Sequence, residues 1–169
     1  MRNLDIIIPV KNEEANVGPL VQRISQAMAL SGIQYKLIFI DDHSSDQTVS
    51  ALETLKALYP IEVHLKKGKP GKAYSIIEGA DYSESDNIAM IDADLQYPPE
   101  ALPQMFEQLS DSGVVIAKRS VSHGSKLRRF VSRTFSSIFG GLLHNLNVDV
   151  QSGLKVFKRE IIEKIDIKK

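Results

Sequence analysis

Short apolar, β-branched runs alternate along the chain with longer stretches whose apolar residues recur every three or four positions. The runs read as buried strands, the stretches as amphipathic helices. Residues 4–9 form the first strand. Val17, Leu20, Val21, Ile24 and Ala27/Met28 then keep helical spacing, with Asn12 as candidate cap and Gly32 as the stop. A second strand is expected at 35–40 and a helix at 47–58, capped by Ser44, Ser45 or Asp46 and ended by Pro60. Residues 61–65 predict a third strand. Residues 73–82 predict a helix with Ile76, Ile77 and Ala80 on one side, and 87–91 a fourth strand. Pro98 and Pro99 can open a helix, where a missing N–H costs little, and 101–109 continues it. A fifth strand at 113–117, a long helix at 126–146, a short strand at 153–157 and a terminal helix at 160–165 complete the pattern.

Alternation of this kind predicts an α/β fold with a mainly parallel sheet flanked by helices. In such sheets ligands sit beyond the carboxyl ends of the strands. The unusual polar loops fall there: PVKNEE, DDHSSD, KKGKPGK and DADLQ follow the first four strands in turn. Their convergence on one edge points to a single site.

The chain's formal net charge is zero, which hides a segregation of sign. Between Lys72 and Lys118 stand nine acidic residues and no basic one; from Ser112 to Val148 stand six basic residues and no acidic one. One block suits a cation, the other an anion. Cysteine is absent, which removes disulfides, thiolate metal sites and cysteine nucleophiles. The apolar run near the N-terminus is too short for a signal peptide, and no window reaches the length of a transmembrane helix.

The candidate chemistry starts at IAMIDADLQYPPE, residues 88–100. Side chains two apart on an extended strand point the same way, so Asp92, Asp94 and Gln96 share a face if the chain stays extended. Hard oxygen ligands suit Mg2+ or Mn2+, which take further ligands from water and phosphate. Asp41 and Asp42 form a second pair. One suits turn formation, and the other can accept hydrogen bonds from a base or ribose. Lys66, Lys67, Lys69 and Lys72 flank two glycines in a loop able to cradle phosphate, although the P-loop pattern is absent. For most of these lysines a solvated loop is the expectation.

The ordered set IIIPVKNEEANV, FIDDHSSDQT, GKAYSIIEGA and MIDADLQYPPEALPQM resembles family 2 glycosyltransferases of the GT-A fold, a Rossmann-like nucleotide-binding sandwich. DADLQ before two prolines, with the later DVQSG, resembles the polyprenyl-phosphate branch, the dolichyl-phosphate mannose synthase-like enzymes. The resemblance implies roles by position. Pro9, Glu13 and Asp41 would line the nucleotide pocket, Asp41 facing the base, with Asp42 and Lys72 in the same donor site. Asp92 would lie near ribose, sugar and metal, and Asp94 and Gln96 would face the metal. Arg119 would contact phosphate, Arg128 and Ser132 the lipid phosphate, and Asp149 would lie beside the sugar.

The basic block agrees in part. Leu127, Phe130, Val131, Phe135, Ile138 and Leu142 make a stripe bordered by Arg128, Arg129 and Arg133. Such a helix suits an anionic membrane surface or an ordinary core; the resemblance favours the membrane. The expected protein is therefore one GT-A domain, truncated at its C-terminus, at the cytoplasmic face of a membrane. It would move a sugar with inversion from a GDP- or UDP-sugar to a polyprenyl phosphate, with Mg2+ or Mn2+ and no nucleic-acid partner. The alternatives are transfer to a saccharide hydroxyl, with Asp149 as the base that a hydroxyl requires, or a non-catalytic nucleotide-sugar-binding module. A processive polysaccharide synthase is disfavoured, since its Gln-x-x-Arg-Trp signature needs tryptophan and the chain has none.

Overall fold

The computed structural model describes residues 2–110, 113–117 and 152–163. Strands β1 (Asn3–Val10), β2 (Gln34–Asp41), β3 (Ile61–Leu65) and β4 (Asn87–Ile91) are parallel and lie in the order β3-β2-β1-β4. The sheet continues through β6 (Leu154–Lys158) to β5 (Val114–Ile116). β6 runs antiparallel to both neighbours, so β5 points the same way as β1–β4. The parallel α/β expectation holds, with one reversed strand inserted between the fourth and fifth. Both of those strands were expected singly; their pairing through β6 is a long-range register that no local pattern specifies.

Helices cover both faces. On one, α1 (Glu14–Ser31), α2 (Thr48–Leu55) and α4 (Leu102–Gln108) pack on Ile6, Ile8, Phe39, Ala89 and Val156. On the other, α3 (Lys72–Tyr82) and α5 (Arg159–Glu163) meet Ile7, Ile38, Ile40, Met90 and Phe157. Alternate residues of β1 thus enter two different cores, as the two-residue strand period requires. The buried stripe of α1 is Val17, Leu20, Val21, Ile24 and Met28, and Gly32 ends the helix in the left-handed region at φ 67°. α3 buries Ala73, Ser75, Ile76, Gly79 and Ala80, while Ile77 is only half-buried. An ideal Cβ on Gly79 would stand 2.5 Å from Cγ2 of Ile7, so glycine is what lets α3 approach the sheet.

Three boundaries differ from expectation. α2 stops at Leu55, short of Pro60. The double proline opens a 3-10 turn, Pro99–Ala101, before α4 begins. Asn12 does not cap α1: it sits at φ 57° and bonds to the neighbouring loop instead. At the opposite edge of the sheet, buried Asp5 accepts the Ser83 hydroxyl at 2.8 Å and the Glu84 and Ser85 N–H groups at 2.8 and 3.1 Å. That closes the turn from α3 to β4. The long helix expected at 126–146 lies outside the described residues. Among the described residues no helix is long and apolar enough to cross a membrane.

Candidate active site

The loops after β1 and β2 are stitched together. The Asn12 N–H donates to Ser44 Oγ at 2.9 Å, and Asn12 Oδ1 accepts the Ser45 N–H at 2.8 Å. The Glu13 N–H reaches Thr48 Oγ1 at 2.8 Å, and the Glu14 N–H reaches Asp46 at 3.2 Å. Backbone groups that would be orphans at the start of α1 are therefore satisfied from the second loop. Asp46 Oδ1 also accepts the Thr48 N–H at 3.0 Å. The N-cap of α2 is nevertheless Gln47, which makes no side-chain capping bond, so none of Ser44, Ser45 and Asp46 holds the capping position expected for them.

The paired aspartates divide their work. Asp41 is 3% exposed; its Oδ2 accepts the Ser44 N–H at 3.1 Å, while its Oδ1 is buried with no hydrogen-bond partner among the described residues. A buried unsatisfied carboxylate oxygen is costly, and it marks a place where a bound N–H or O–H would be welcome. Asp42 accepts the Gly71 N–H at 2.8 Å and stands 3.4 Å from the ammonium of Lys66. Burial alone pushes the Asp42 carboxyl up, but Gly71, His43 and Lys66 outweigh it and hold the carboxyl below its ordinary range.

The lysines of the third loop do not share one environment. Lys67 and Lys69 are exposed, as expected. Lys66 is not: its side chain has no exposed surface, and burial pushes its pKa down despite the opposing pull of Asp42. Lys72, the first residue of α3, forms an ion pair with Asp92.

The fourth loop corrects a geometric expectation. β4 ends at Ile91, and the chain turns through Ala93 and Asp94, with Leu95 at φ 58°. Asp94 Oδ1 accepts the Gln96 N–H at 3.2 Å, and Gln96 is exposed. The stretch is not extended, so the strand period does not align these three side chains. Asp92 and Asp94 nevertheless line one cleft, because the turn carries Asp94 back toward the ends of the strands. The Asp92 N–H donates to the Gly153 carbonyl at 2.9 Å, which anchors the turn to the start of β6.

That cleft, of about 280 Å³, is lined by Pro9, Val10, Lys11 and Glu13, by Asp42, by Lys72 and Ser75, and by Asp92, Ala93 and Asp94. Of the residues singled out in the sequence, Pro9, Glu13, Asp42, Lys72, Asp92 and Asp94 come together here. Asp41 lies buried at the end of β2, and Gln96 stays outside the lining. Arg119, Arg128, Ser132 and Asp149 lie outside the described residues. Lys11, Lys66, Ser75 and Gly153 gained no individual role from the sequence. The GKAYS pattern offered a hint for Ser75, and DVQSG one for Gly153.

Among the described residues no three or more carboxylate, histidine or cysteine side chains gather around one point as a metal cage. Two carboxylates on one cleft wall still fit a hard cation of the Mg2+ type. Such an ion keeps several waters and needs only one or two carboxylates beside substrate phosphates.

A family profile described as "Glycosyl transferase family 2" matches residues 5–166. The chain belongs to glycosyl transferase family 2. Its α/β architecture is the Rossmann-like GT-A fold. A relative in this family, the dolichol-phosphate mannosyltransferase of Pyrococcus furiosus, is 29% identical over 97% of this chain and 48% of its own length. The undecaprenyl-phosphate 4-deoxy-4-formamido-L-arabinose transferase of Klebsiella pneumoniae is 30% identical over 96% of this chain and 51% of its own. The chain thus spans about half the length of these relatives. Among solved structures, a glucosyl-3-phosphoglycerate synthase from Mycobacterium tuberculosis with phosphoglyceric acid superposes with a TM-score of 0.68 at 21% identity, over 95% of this chain and 58% of its own. A mannosyltransferase from Pyrobaculum calidifontis with GDP-Man and Mn2+ gives 0.64 at 18% identity, over 96% of this chain and 46% of its own. At those identities the likeness speaks to the GT-A fold.

Proposed function

We propose that this chain carries the donor site of an inverting glycosyltransferase that takes its sugar from a nucleotide-diphospho-sugar. The observation that carries the reading is the cleft built from the loops of β1, β2 and β4 and the start of α3. Next in the chain to its lining residue Asp42, the buried Asp41 Oδ1 has no hydrogen-bond partner among the described residues. Asp41 would accept N–H or O–H groups of the base or ribose, with Pro9 and Glu13 forming the wall. Lys72 would meet the diphosphate, exchanging part of its pairing with Asp92 for phosphate oxygens. Asp92 and Asp94 would hold Mg2+ or Mn2+. The ion's chemistry is to offset negative charge on the diphosphate as it leaves. The acceptor oxygen attacks the anomeric carbon opposite the departing diphosphate, so configuration inverts.

Two acceptors have support. Curated relatives over nearly the whole chain are named for transfer to dolichol phosphate or undecaprenyl phosphate. An anionic acceptor of that kind needs no strong base, and Arg119, Arg128 and Ser132 would hold it near a membrane surface, with the chain peripheral to the cytoplasmic face. The phosphoglycerate synthases of the same fold favour the broader alternative, transfer to a hydroxyl. That route needs a base, for which Asp149 is the candidate.

The test is a panel of UDP- and GDP-sugars with Mn2+, offered with a polyprenyl phosphate, with phosphoglycerate and with free saccharides, reading which donor is consumed. Consumption only with the lipid phosphate supports the first acceptor, and consumption only with a hydroxyl supports the second. Binding without consumption in any arm points to a non-catalytic module. Full activity in Asp94→Asn would overturn the metal assignment.

A further inference from the structure

The loop between β3 and α3 is exposed from Lys67 to Gly71, yet the lysine that opens it is fully buried. Its ammonium donates to the Gly71 carbonyl at 2.7 Å and to Ser75 Oγ at 2.9 Å, and stands 3.4 Å from Asp42 Oδ2. The same Asp42 oxygen accepts the Gly71 N–H at 2.8 Å. Both polar groups of Gly71 are therefore held by one buried ion pair. Gly71 has φ 118° and ψ 144°, a conformation open to glycine and strained for other residues. Its carbonyl also accepts the Ser75 N–H at 3.2 Å, the bond that opens α3. Glu78 ties the rest of the loop to the helix, accepting the Lys67 and Gly68 N–H groups at 3.0 and 3.2 Å.

A buried ion pair is a poor way to gain stability, because desolvation offsets most of its attraction and apolar residues of similar volume often do better. What it supplies here is geometry. Gly71 directly precedes Lys72, which pairs with Asp92, and Ser75 lines the cleft. We propose that Lys66 is a positioning residue for the donor site: with Asp42 it clamps Gly71 and thereby sets Lys72 opposite Asp92. This rests on the nucleotide-sugar reading above.

The probes are UDP and GDP, titrated calorimetrically with MnCl2 into the 169-residue chain. Lys66→Met removes the clamp, and the Lys66→Met/Asp42→Asn pair removes both buried charges, so one folded variant is expected even if the single change is not tolerated. In the variant that keeps a wild-type circular dichroism spectrum, the dissociation constant should rise roughly tenfold or more. With an active donor, KM should rise more than kcat falls. In a Lys72→Ala background the same change should matter less than about twofold, because Lys66 acts through Lys72. Unchanged binding in a folded variant overturns the proposal, as does an equal loss with and without Lys72. No binding of either nucleotide by the wild-type chain overturns the nucleotide-sugar reading itself, and this proposal with it.

Discussion

Asp92 is held against Gly153. The Asp92 N–H donates to the Gly153 carbonyl at 2.9 Å, and a Cβ at position 153 would stand only 2.6 Å from Cγ of Asp92 and 2.8 Å from Cε2 of Tyr97. Any side chain at 153 must therefore shift both the Asp92 carboxylate, which pairs with Lys72, and the Tyr97 ring. Gly153→Ala is expected to weaken Mn2+-dependent nucleotide binding roughly tenfold, with overpacking costing about 1–3 kcal/mol of stability. Calorimetry alongside urea denaturation checks both; unchanged binding in the alanine variant would separate Gly153 from the site.

Gly79 poses a contest between two effects. Alanine gains roughly 1 kcal/mol in helix propensity over glycine. Against that, its Cβ meets Ile7 Cγ2 at 2.5 Å and Ile40 Cγ1 at 3.2 Å in a close-packed core, where overpacking costs about 1–3 kcal/mol. Packing should win, and Gly79→Ala should lower the urea midpoint. A raised midpoint would mean that α3 can back away from the sheet freely.

The folded pKa of Asp42 lies below its ordinary value, held there by Gly71, His43 and Lys66 against the opposing effect of burial. A depressed carboxylate contributes stability that is present above its unfolded pKa and lost as pH falls through the folded one. Asp42→Asn should be less stable than wild type near neutrality, because it strands the buried Lys66 charge. The gap should narrow as pH falls below the ordinary carboxylate range, where the unfolded chain takes up its proton first and the folded carboxylate only at lower pH. Urea midpoints measured from neutral to strongly acid pH would show it; a gap constant with pH would contradict the assignment.

Asn12 bridges two loops from a left-handed backbone conformation, φ 57°. Asn12→Ala and Asn12→Gly both lose the side-chain bond to Ser45, but only glycine adopts that φ without strain. The alanine variant should therefore be the less stable by about 1 kcal/mol. Equal stabilities would mean that the loop relaxes to a negative φ.

The ion pair of Arg23 with Glu100 is bidentate, 2.7 and 2.8 Å, and joins α1 to the turn after the double proline. Both side chains are well exposed, 38% and 53%, so its worth is small despite the geometry. Arg23→Ala should shift stability by less than about 1 kcal/mol, and less still at high salt. A larger loss would identify the turn as a weak point of the fold.

Much of the fold and part of the site were legible in the residues. The stripe of α1 and the runs of β1–β4 follow periods of 3.6 and 2, and those periods are local properties of the backbone. Pro9, Glu13, Asp42, Lys72, Asp92 and Asp94 reach one cleft because loops at the ends of parallel strands must share an edge. The strand-period argument for Gln96 did not carry through. A turn at Ala93–Asp94, with Leu95 in the left-handed region, was not signalled by glycine or asparagine.

The sequence by itself determined the element types, the ligand edge and the acidic chemistry on it, since composition and spacing set these within a few residues of chain. Tertiary structure decided the rest. It inserted β6 between β4 and β5, buried Lys66 where its neighbours stay in water, and set Gly153 against Asp92. Each joins groups far apart in the chain, and their energies depend on desolvation and excluded volume, which exist only once the chain has closed on itself.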